Sequence, residues 1–293
     1  MFLSVIIPTH NRAEVLRRTL NLLANQTYPR EKFEIIVIND GSTDATPDLL
    51  AEFSKKQIFT LRPYTQKNAG AGQARNLGIQ KSQGQILVFL DNDILPKPNF
   101  LAKHAEFHTI FPEPAKAALG LTRLHPEALP QNFQQKIWLK LGLFQVKFQD
   151  LRAQQLVNYQ RFYTGNLSLK KKFLGNLSFD SKFQTWGFED SELGYRLQKK
   201  GLQLIYFPAA CGLHLHELNP AKLLAKNFAA GKNAVLFQLK HPEANVLPGK
   251  SKLFCQKILV AILPFSFYAQ AKKAFWSGIK ARQKELAQDS RSP

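Results

Sequence analysis

The sequence predicts an α/β fold, with a Rossmann-like, mostly parallel central sheet flanked by helices and a helical appendage at the C-terminal end. Three observations support this prediction. Strand-like and helix-like segments alternate over about the first 110 residues, a pattern typical of βαβ units. The strand-like segments are continuous apolar runs, as expected of parallel strands that are buried on both faces. Polar residues follow several of these runs directly, at the position where open α/β sheets bind ligands.

Strand and helix candidates follow one another in order along this part of the chain. The strand candidates are Leu3–Ile7, Phe33–Ile38, Ile58–Leu61 and Gln85–Leu90. The helix candidates are Ala13–Ala24, with apolar residues at roughly helical spacing, Asp44–Phe53, and Ala71–Gln80, which glycines precede. Because crossovers between parallel strands are right-handed, the polar strand ends Thr9, Asp40 and Asp91–Asp93 should share one edge of the sheet.

The rest of the chain divides into a less regular middle, a motif-rich stretch and a basic tail. In the middle, Gln131–Gln155 has an amphipathic helical pattern, and its apolar face suits the core better than a substrate-side wall. The residues of this face are Phe133, Ile137, Trp138, Leu141, Phe144 and Phe148. Since no linker or repeat interrupts the chain, we predict one domain over residues 1–218 and a basic helical region over residues 219–293.

The composition indicates an anionic partner and a reducing compartment. Lys and Arg number 40 against 21 Asp and Glu, and the resulting charge of +19 suits anionic lipid, phosphorylated substrates or nucleic acid. The two cysteines form neither a disulfide framework nor a zinc spacing. The first residues lack the features of a signal sequence, and no stretch reaches the roughly 18 apolar residues of a spanning helix. We therefore expect a cytoplasmic protein.

The run Asp91-Asn92-Asp93 places two carboxylates directly after a strongly apolar strand candidate. Two aspartates at such a strand end suit a divalent cation, because Mg²⁺ and Mn²⁺ take oxygen ligands and often share them with substrate phosphates. Asp and Asn are also common turn residues, so a turn with a helix cap explains the run equally well when it is considered alone.

Two further motifs should lie at the same edge of the sheet. Asp40 follows the second strand and can accept hydrogen bonds from a nucleobase or ribose, although the sequence around it also makes a good turn. In that turn Ser42 or Thr43 would cap the next helix. The third helix candidate starts with two glycines, so its N-terminal amides and Arg75 can face a phosphate group.

The segment Trp186–Leu197 predicts a helix with Glu189 and Asp190 in its first turn. Acidic residues at this position complement the helix dipole, and that is one sufficient explanation for both. If Asp190 instead points into a cleft, its carboxylate can accept the proton of an attacking hydroxyl group. Trp186 then offers an apolar face on which a sugar ring can stack.

Two histidines follow the last strand candidate, Leu202–Phe207, and its return. Strand alternation places His214 and His216 on the same side of the chain. Considered alone, they are ordinary histidines of a polar face. Beside the aspartate pair, one of them can complete a metal site that also uses substrate phosphate.

In this order, the motifs resemble those of family 2 glycosyltransferases, which have the GT-A fold. The likeness covers about residues 2–216, and the motifs are highly specific as a set. The matching segments are Ser4–Arg12, Ile38–Asp44, Asn68–Asn76, Asp91–Asp93, Thr164–Ser168 and Trp186–Leu197. In these terms, residues up to about 112 would be the nucleotide-sugar-binding half, and residues 113–218 the acceptor half.

The resemblance implies a metal-dependent, inverting transfer of a sugar from a nucleotide-diphospho-sugar to a hydroxyl of a glycan or lipid-linked acceptor, with a UDP-sugar favoured. Asp93 would bind Mn²⁺ or Mg²⁺ together with His214, or else with His216. Asp190 would be the general base, with Glu189 beside it. The residues implied to bind the donor are Pro8, Thr9, Arg12, Asp40, Arg75, Asp91 and Asn92. Those implied to bind the acceptor are Trp186, Gly187 and Asn166.

Other classes of protein match the sequence less well. A polyprenyl-phosphate sugar synthase would share the fold, but such enzymes usually read Asp-Ala-Asp-Leu-Gln where this chain has Asp91–Leu95. A dinucleotide-binding oxidoreductase would have Gly-x-Gly-x-x-Gly after the first strand, where Pro8–Arg12 stands instead. A non-catalytic protein that binds a nucleotide sugar is an alternative that the sequence leaves open. No recognisable motif supports a nucleic-acid partner.

The C-terminal tail bears on location rather than on chemistry. Leu253–Phe267 is apolar and aromatic, and basic residues surround it. These are Lys250, Lys252, Lys257, Lys272, Lys273, Lys280 and Arg282. One interpretation is an amphipathic helix that lies on an anionic membrane surface and holds the protein at the inner face of the membrane. A helix that packs on the catalytic domain explains the same pattern.

Overall fold

The computed structural model describes residues 1–129, 136, 148–215, 219–262 and 266–289 of the chain. Within this part, the strands are β1 Leu3–Thr9, β2 Phe33–Asp40, β3 Thr60–Gln66, β4 Ile86–Leu90, β5 Ile94–Pro96, β6 Lys116–Leu124, β7 Leu156–Val157, β8 Asn166–Lys170 and β9 Gln203–His214. The helices are α1 Ala13–Ala24, α2 Thr46–Lys56, α3 Ala71–Lys81, α4 Phe100–Ile110, α5 Lys171–Leu174, α6 Glu189–Lys199, α7 Pro220–Lys240, α8 Lys250–Ile262 and α9 Phe267–Asp289.

The strands form one sheet in the order β3-β2-β1-β4-β8-β6-β9-β5, and β7 pairs with β9. β1 is parallel to β2 and β4, and β2 is parallel to β3. β8 runs antiparallel to β4 and β6, β6 and β9 are parallel, and β5 and β7 run antiparallel to β9. The first four strands therefore form the predicted parallel sheet, and a mixed half that the sequence did not predict extends it.

Burial on both faces explains the apolar sequences of the central strands. Every residue of β1, β2 and β4 is buried. Successive residues belong to two cores on opposite faces: Val5 packs in the core with α1 and α2, whereas Ile6 packs in the core with Leu193 of α6. α3 approaches the sheet closely, since a Cβ at Gly78 would come within 2.4 Å of the Ile6 side chain.

Two predicted elements, α2 and β3, begin two residues later than expected. α2 begins at Thr46 rather than Asp44, and the residue at its N-cap is Ala45. The Asp44 carboxylate accepts a hydrogen bond from the Thr46 backbone N–H (3.0 Å), which forms a turn directly before the helix. The predicted caps, Ser42 and Thr43, do not fill that position. β3 starts two residues later than predicted and contains Pro63, which an edge strand tolerates.

Most of the predicted helix Gln131–Gln155 lies outside the described residues. Its last part, residues 148–155, forms turns and irregular backbone rather than helix. Phe148 is buried, and its ring stacks on Tyr206 with centroids 5.7 Å apart. For Phe148 the core interpretation is therefore confirmed.

The chain folds as two compact units. The first contains the sheet and includes residues 1–129, 148–184 and 190–215. The second includes residues 185–189 and the C-terminal helices α7, α8 and α9.

Inside the second unit, α7 and α9 meet at two glycines. A Cβ at Gly231 would lie 2.0 Å from the carbonyl oxygen of Phe275, and one at Gly278 would lie 2.0 Å from that of Phe228.

The apolar segment of the tail is divided between two helices, because α8 ends at Ile262 and α9 begins at Phe267. Two side chains of α8 remain open to solvent: Phe254 is 65% exposed and Ile258 is 43% exposed. They are four residues apart and so lie on the same side of the helix. In the part of the chain that the structure describes, no helix is long and apolar enough to span a bilayer.

Candidate active site

The ends of β1 and β4 meet at one edge of the sheet, as their parallel pairing requires. Asn92, after β4, donates its amide to the hydroxyl of Thr9 at the end of β1 (2.8 Å). Arg12, at the start of α1, has its guanidinium Nη1 3.6 Å from Oδ2 of Asp93. Pro8 is buried in β1 directly before Thr9. The structure thus brings these five predicted site residues together.

Asp40, at the end of β2, is 5% exposed and holds the loop that leads into α3. Its Oδ1 accepts hydrogen bonds from the Ala69 N–H (2.9 Å) and the Gln66 amide (2.7 Å), and its Oδ2 accepts one from the Gly70 N–H (2.9 Å). Gly70 has a φ of +90°, a value that residues with a side chain rarely adopt. Asp40 therefore positions the glycine-rich loop, and its contact with a nucleobase stays a prediction.

A buried arginine links two carboxylates of the candidate site. Arg75 is 4% exposed, its Nη2 donates to Oδ1 of Asp91 (2.7 Å), and its Nη1 lies 3.6 Å from Oδ1 of Asp190. Burial raises the pKa of Asp91, Arg75 opposes that rise, and the charges of Asp93 and Asp190 add to it. The carboxylates of Asp91, Asp93 and Asp190 therefore lie near enough to one another for their charges to interact beside a single buried guanidinium. Such a site favours an additional cation.

Thr164 fixes the orientation of Asp190. Its backbone N–H donates to Oδ2 of Asp190 (2.9 Å), and its hydroxyl donates to Oδ1 (2.6 Å). The Asp190 side chain keeps 18% of its surface exposed, so the carboxylate is held and still accessible. From the sequence alone, Thr164 is only the first residue of a motif, and its role in holding Asp190 was missed.

Tyr163 is a second residue that the sequence analysis did not single out. Burial raises the pKa of its phenol well above the usual value, and the charges of Asp91, Asp93 and Asp190 raise it further. The phenol therefore stays neutral beside the carboxylates. Its only signal in the sequence is its position directly before the Thr164–Ser168 motif.

Asp93 and His214 are the two predicted metal ligands that the structure places side by side. β5 pairs with β9 so that Ile94 lies opposite His214, and Nε2 of His214 lies 3.4 Å from Oδ1 of Asp93. A carboxylate and an imidazole suit Mn²⁺ better than Mg²⁺. Over the described residues no group of three His, Cys, Asp or Glu side chains is arranged to hold a metal ion. Substrate oxygens would therefore have to complete the coordination. The alternative ligand, His216, lies outside the described residues.

Asn166 is fully buried and belongs to a chain of hydrogen bonds inside the first unit. Its amide donates to the carbonyl groups of Leu121 and Ala210 (both 3.0 Å), and its Oδ1 accepts from Nε2 of His104 (3.0 Å). These contacts give Asn166 a structural role that does not depend on a bound acceptor. In this conformation the side chain has no exposed surface, so the predicted acceptor contact would require it to move.

The hydrogen-bond chain continues from His104 through three further residues. Nδ1 of His104 pairs with the Ser168 hydroxyl (2.8 Å), and that hydroxyl also pairs with Nε2 of His108 (2.9 Å). Lys170 Nζ donates to Nδ1 of His108 (3.1 Å). Each imidazole can thus act as one donor and one acceptor, which is the pattern of a neutral ring. Burial lowers the pKa of His104 to about 4.

The remaining predicted site residues, Trp186, Gly187 and Glu189, lie in the second unit. Oε2 of Glu189 accepts a hydrogen bond from the Gly187 N–H (2.8 Å). Trp186 is 51% exposed, and Nζ of Lys226 lies 5.3 Å from the centroid of its ring. Trp186 therefore keeps much of its indole surface available for a ligand.

The chain is similar in sequence to known glycosyltransferases. The family model described as glycosyl transferase family 2 matches residues 4–171, and one described as the N-terminal domain of galactosyltransferase matches residues 147–218. Validoxylamine A glucosyltransferase of Streptomyces hygroscopicus subsp. jinggangensis is 32% identical over 82% of this chain and 61% of its own length. Chondroitin synthase of Escherichia coli is 30% identical over 82% of this chain and 38% of its own length. The chain thus spans less than two thirds of these relatives.

Solved structures are similar in fold at low sequence identity. The mannosyltransferase PcManGT from Pyrobaculum calidifontis, in complex with GDP-Man and Mn²⁺, matches with a TM-score of 0.65 and 18% identity, over 97% of this chain and 87% of that one. S. aureus TarS 1-349 in complex with UDP-GlcNAc matches with a TM-score of 0.56 and 16% identity, over 99% of this chain and 92% of that one. These likenesses confirm the predicted GT-A fold.

Proposed function

We infer that this chain, which belongs to glycosyl transferase family 2, transfers a sugar from a nucleotide-diphospho-sugar to a hydroxyl group of a glycan or lipid-linked acceptor. The observation that carries the proposal is the Arg75 cluster, in which one buried guanidinium contacts Asp91 and lies beside Asp190 at the ligand-binding edge of the sheet. The relatives named as glucosyltransferase and chondroitin synthase support the same reaction class.

In this proposal the donor lies along the ends of β1, β2 and β4. Residues around the nucleotide would be Pro8, Thr9, Arg12 and Asp40. Arg75, Asp91 and Asn92 would face the ribose, the diphosphate and the transferred sugar. We favour a UDP-sugar, which is supported by neighbouring structures that contain UDP or UDP-GlcNAc, although another contains GDP-Man.

Asp93 and His214 would hold a Mn²⁺ or Mg²⁺ ion in the loaded enzyme, and neighbouring structures named with Mn²⁺ support this assignment. Such an ion, when bound, neutralises negative charge on the diphosphate of the leaving nucleotide. Arg12 lies 3.6 Å from Asp93 and adds positive charge near the same group. The remaining ligands would be donor oxygens, because the described residues supply only two protein groups.

Asp190 would act as the general base. One of its carboxylate oxygens would take the proton of the acceptor hydroxyl. At the same time the oxygen of this hydroxyl would bond to the anomeric carbon, and the bond from the anomeric carbon to the diphosphate would break. One base and no covalent intermediate would invert the anomeric configuration, by analogy with inverting glycosidases. Thr164 would hold the carboxylate in place. Glu189 would bind the sugar or acceptor, and Trp186 with Gly187 would provide a stacking surface for the acceptor.

Replacing Asp93 with Asn is expected to weaken Mn²⁺ binding in the presence of UDP by at least about tenfold, because the variant loses the one anionic protein ligand. Mn²⁺ binding to the full chain can be measured directly by electron paramagnetic resonance, with no need for turnover. Asp150→Asn is the matched control, since Asp150 is 60% exposed and pairs with Arg161. Equal Mn²⁺ affinity in the Asp93 variant and the wild type would contradict the assignment. A wild-type chain that binds no nucleoside diphosphate would contradict the proposed function.

The protein would work at the inner face of a membrane, attached through α8. Exposed Phe254 and Ile258 form an apolar stripe, and Lys257 beside them is exposed. An anionic lipid surface matches both features, because apolar side chains can enter the interface while lysines contact lipid headgroups. The large positive charge of the chain favours the same partner.

Changing both Phe254 and Ile258 to Glu is expected to reduce binding to vesicles that contain phosphatidylglycerol by at least about tenfold, because charges replace side chains that would enter the interface. Co-sedimentation with the vesicles measures the bound fraction. Leu239→Glu in α7 is the matched control, since Leu239 is also an exposed apolar side chain at 56%. Undiminished sedimentation of the double variant would argue against attachment through α8.

A further inference from the structure

The loop of residues 185–189 has a demanding backbone conformation. Gly187 has a φ of +104° and Phe188 has a φ of +69°. The second value is unusual for a bulky residue, and such a conformation persists only where surrounding contacts impose it. The loop carries Trp186 and Glu189 and leads directly to Asp190, so contacts that impose its shape bear on the proposed acceptor site.

Asn233 of α7 supplies these contacts through its side-chain amide. It is 5% exposed, and its Nδ2 donates to the carbonyl oxygens of Gly187 (2.8 Å) and Thr185 (2.9 Å), with that of Trp186 at 3.5 Å. A carboxylate at this position would face the carbonyl oxygens with no hydrogen to donate. The buried amide of Asn233 therefore matches the backbone carbonyl groups of this loop, whereas a carboxylate would not.

Two packing contacts on the same side of α7 reinforce the amide. A Cβ at Gly187 would come within 2.9 Å of the Ala230 Cβ, so the loop backbone lies directly on the helix. The ring of Phe188 packs edge-on against Phe237, with centroids 6.0 Å apart. Ala230, Asn233 and Phe237 follow one another at helical spacing, so one side of α7 holds the loop from Thr185 to Phe188.

The helix that holds the loop is itself held firmly in the second unit. α7 and α9 approach so closely at Gly231 and Gly278 that neither position has room for a Cβ. Lys232 Nζ also pairs with Oε1 of Glu285 at 2.6 Å. These contacts hold α7 against α9 and therefore keep Asn233 of α7 in a fixed position.

We propose that Asn233 is a positioning residue for acceptor binding: its amide fixes the shape of the loop that carries Trp186 and Glu189. The proposal rests on the function proposed above and gives α7 a part in the transfer reaction. It predicts that binding of the nucleotide is unaffected, because the residues proposed to contact the nucleotide and its diphosphate all lie in the first unit. Binding of the nucleotide therefore serves as an internal reference.

Asn233→Asp tests the proposal, with Asn227→Asp as its matched control, since Asn227 lies on the same helix and its amide donates to the carbonyl group of Leu223 within that helix. Kinetics of the full chain would use the donor that the wild type hydrolyses and a panel of p-nitrophenyl glycosides as acceptors. We expect Asn233→Asp to lower kcat/KM for the acceptor by about 10–100-fold, with UDP affinity within about twofold of wild type. Asn227→Asp should match the wild type.

Amide hydrogen exchange is a second test of the proposal, and it needs no acceptor. In Asn233→Asp, exchange at residues 185–189 should quicken by at least about tenfold, while α9 should keep its protection. If Asn233→Asp does not fold, Phe237→Leu should loosen the same loop through Phe188 and reduce acceptor kcat/KM by a smaller factor. Unchanged acceptor kinetics and loop exchange, or parallel losses in UDP affinity and acceptor kcat/KM, would overturn the proposal. An inactive wild type would instead contradict the proposed function.

Discussion

Replacing Asp190 with Asn is expected to lower kcat for sugar transfer by about 10²–10⁴-fold, the usual contribution of a general base. The amide has nearly the shape of the carboxylate but cannot take the proton of the acceptor hydroxyl. UDP affinity should stay close to that of the wild type, because Arg75 contacts Asp91 more closely than Asp190. Stopped assays that measure transferred sugar, paired with calorimetry of UDP binding, give both quantities.

The control for this prediction is Asp150→Asn, which also replaces a carboxylate by an amide but at an exposed position that pairs with Arg161. It should transfer sugar at the wild-type rate. Thr164→Val should fall between the two, since it removes one of the hydrogen bonds that orient Asp190 and leaves the carboxylate in place. Full turnover by Asp190→Asn would exclude Asp190 as the base.

Lowering the pH from 7 to 4.5 is expected to reduce the free energy of unfolding by several kcal/mol, because two buried histidines resist protonation in the folded state. Burial lowers the pKa of His104 to about 4, and burial, with Lys170 and His104 nearby, lowers that of His108 to about 2. Between these values and 6.5 the unfolded chain binds more protons. The contribution of these neutral histidines to the free energy of unfolding is therefore complete above pH 6.5. It is lost as the pH falls, by about 3 kcal/mol for His104 alone.

Urea unfolding at pH 7 and at pH 4.5 measures this loss. His108→Gln isolates the contribution of one histidine, because glutamine does not titrate and can still pair with the Ser168 hydroxyl. The difference in unfolding free energy between the two pH values should be smaller in this variant than in the wild type. His125→Gln, at a partly exposed histidine, should keep most of the wild-type difference. Equal pH dependence in His108→Gln and the wild type would refute the explanation.

The parallel half of the fold could be predicted because its signal is local. β1, β2 and β4 are buried on both faces and therefore appear in the sequence as unbroken apolar runs. The handedness of βαβ crossovers then places Thr9, Asp40 and Asp91 at one edge without knowledge of any contact. Asp93 follows from the same reasoning, whereas His214 was proposed from strand alternation and from the family resemblance. Only the pairing of β5 with β9 shows that the two residues are neighbours.

The supports of the site could not be predicted, because they join residues far apart in the sequence. Thr164 holds Asp190 across 26 positions, and Asn233 holds Gly187 across 46. An asparagine inside a basic helix or a threonine before a strand has no local pattern that reveals a partner. Asn166 shows the reverse case: its motif indicates the family, whereas its contacts show a buried structural side chain.

The central claim, that this chain transfers a sugar from a nucleotide-diphospho-sugar, is tested most directly by a donor screen. The full chain would be incubated with Mn²⁺ and a panel of UDP-, GDP-, ADP- and dTDP-sugars, and release of the nucleoside diphosphate would be followed. We expect release from one donor class, with UDP-sugars favoured, and much slower release by Asp190→Asn. Release from no nucleotide sugar above the rate without protein would contradict the claim.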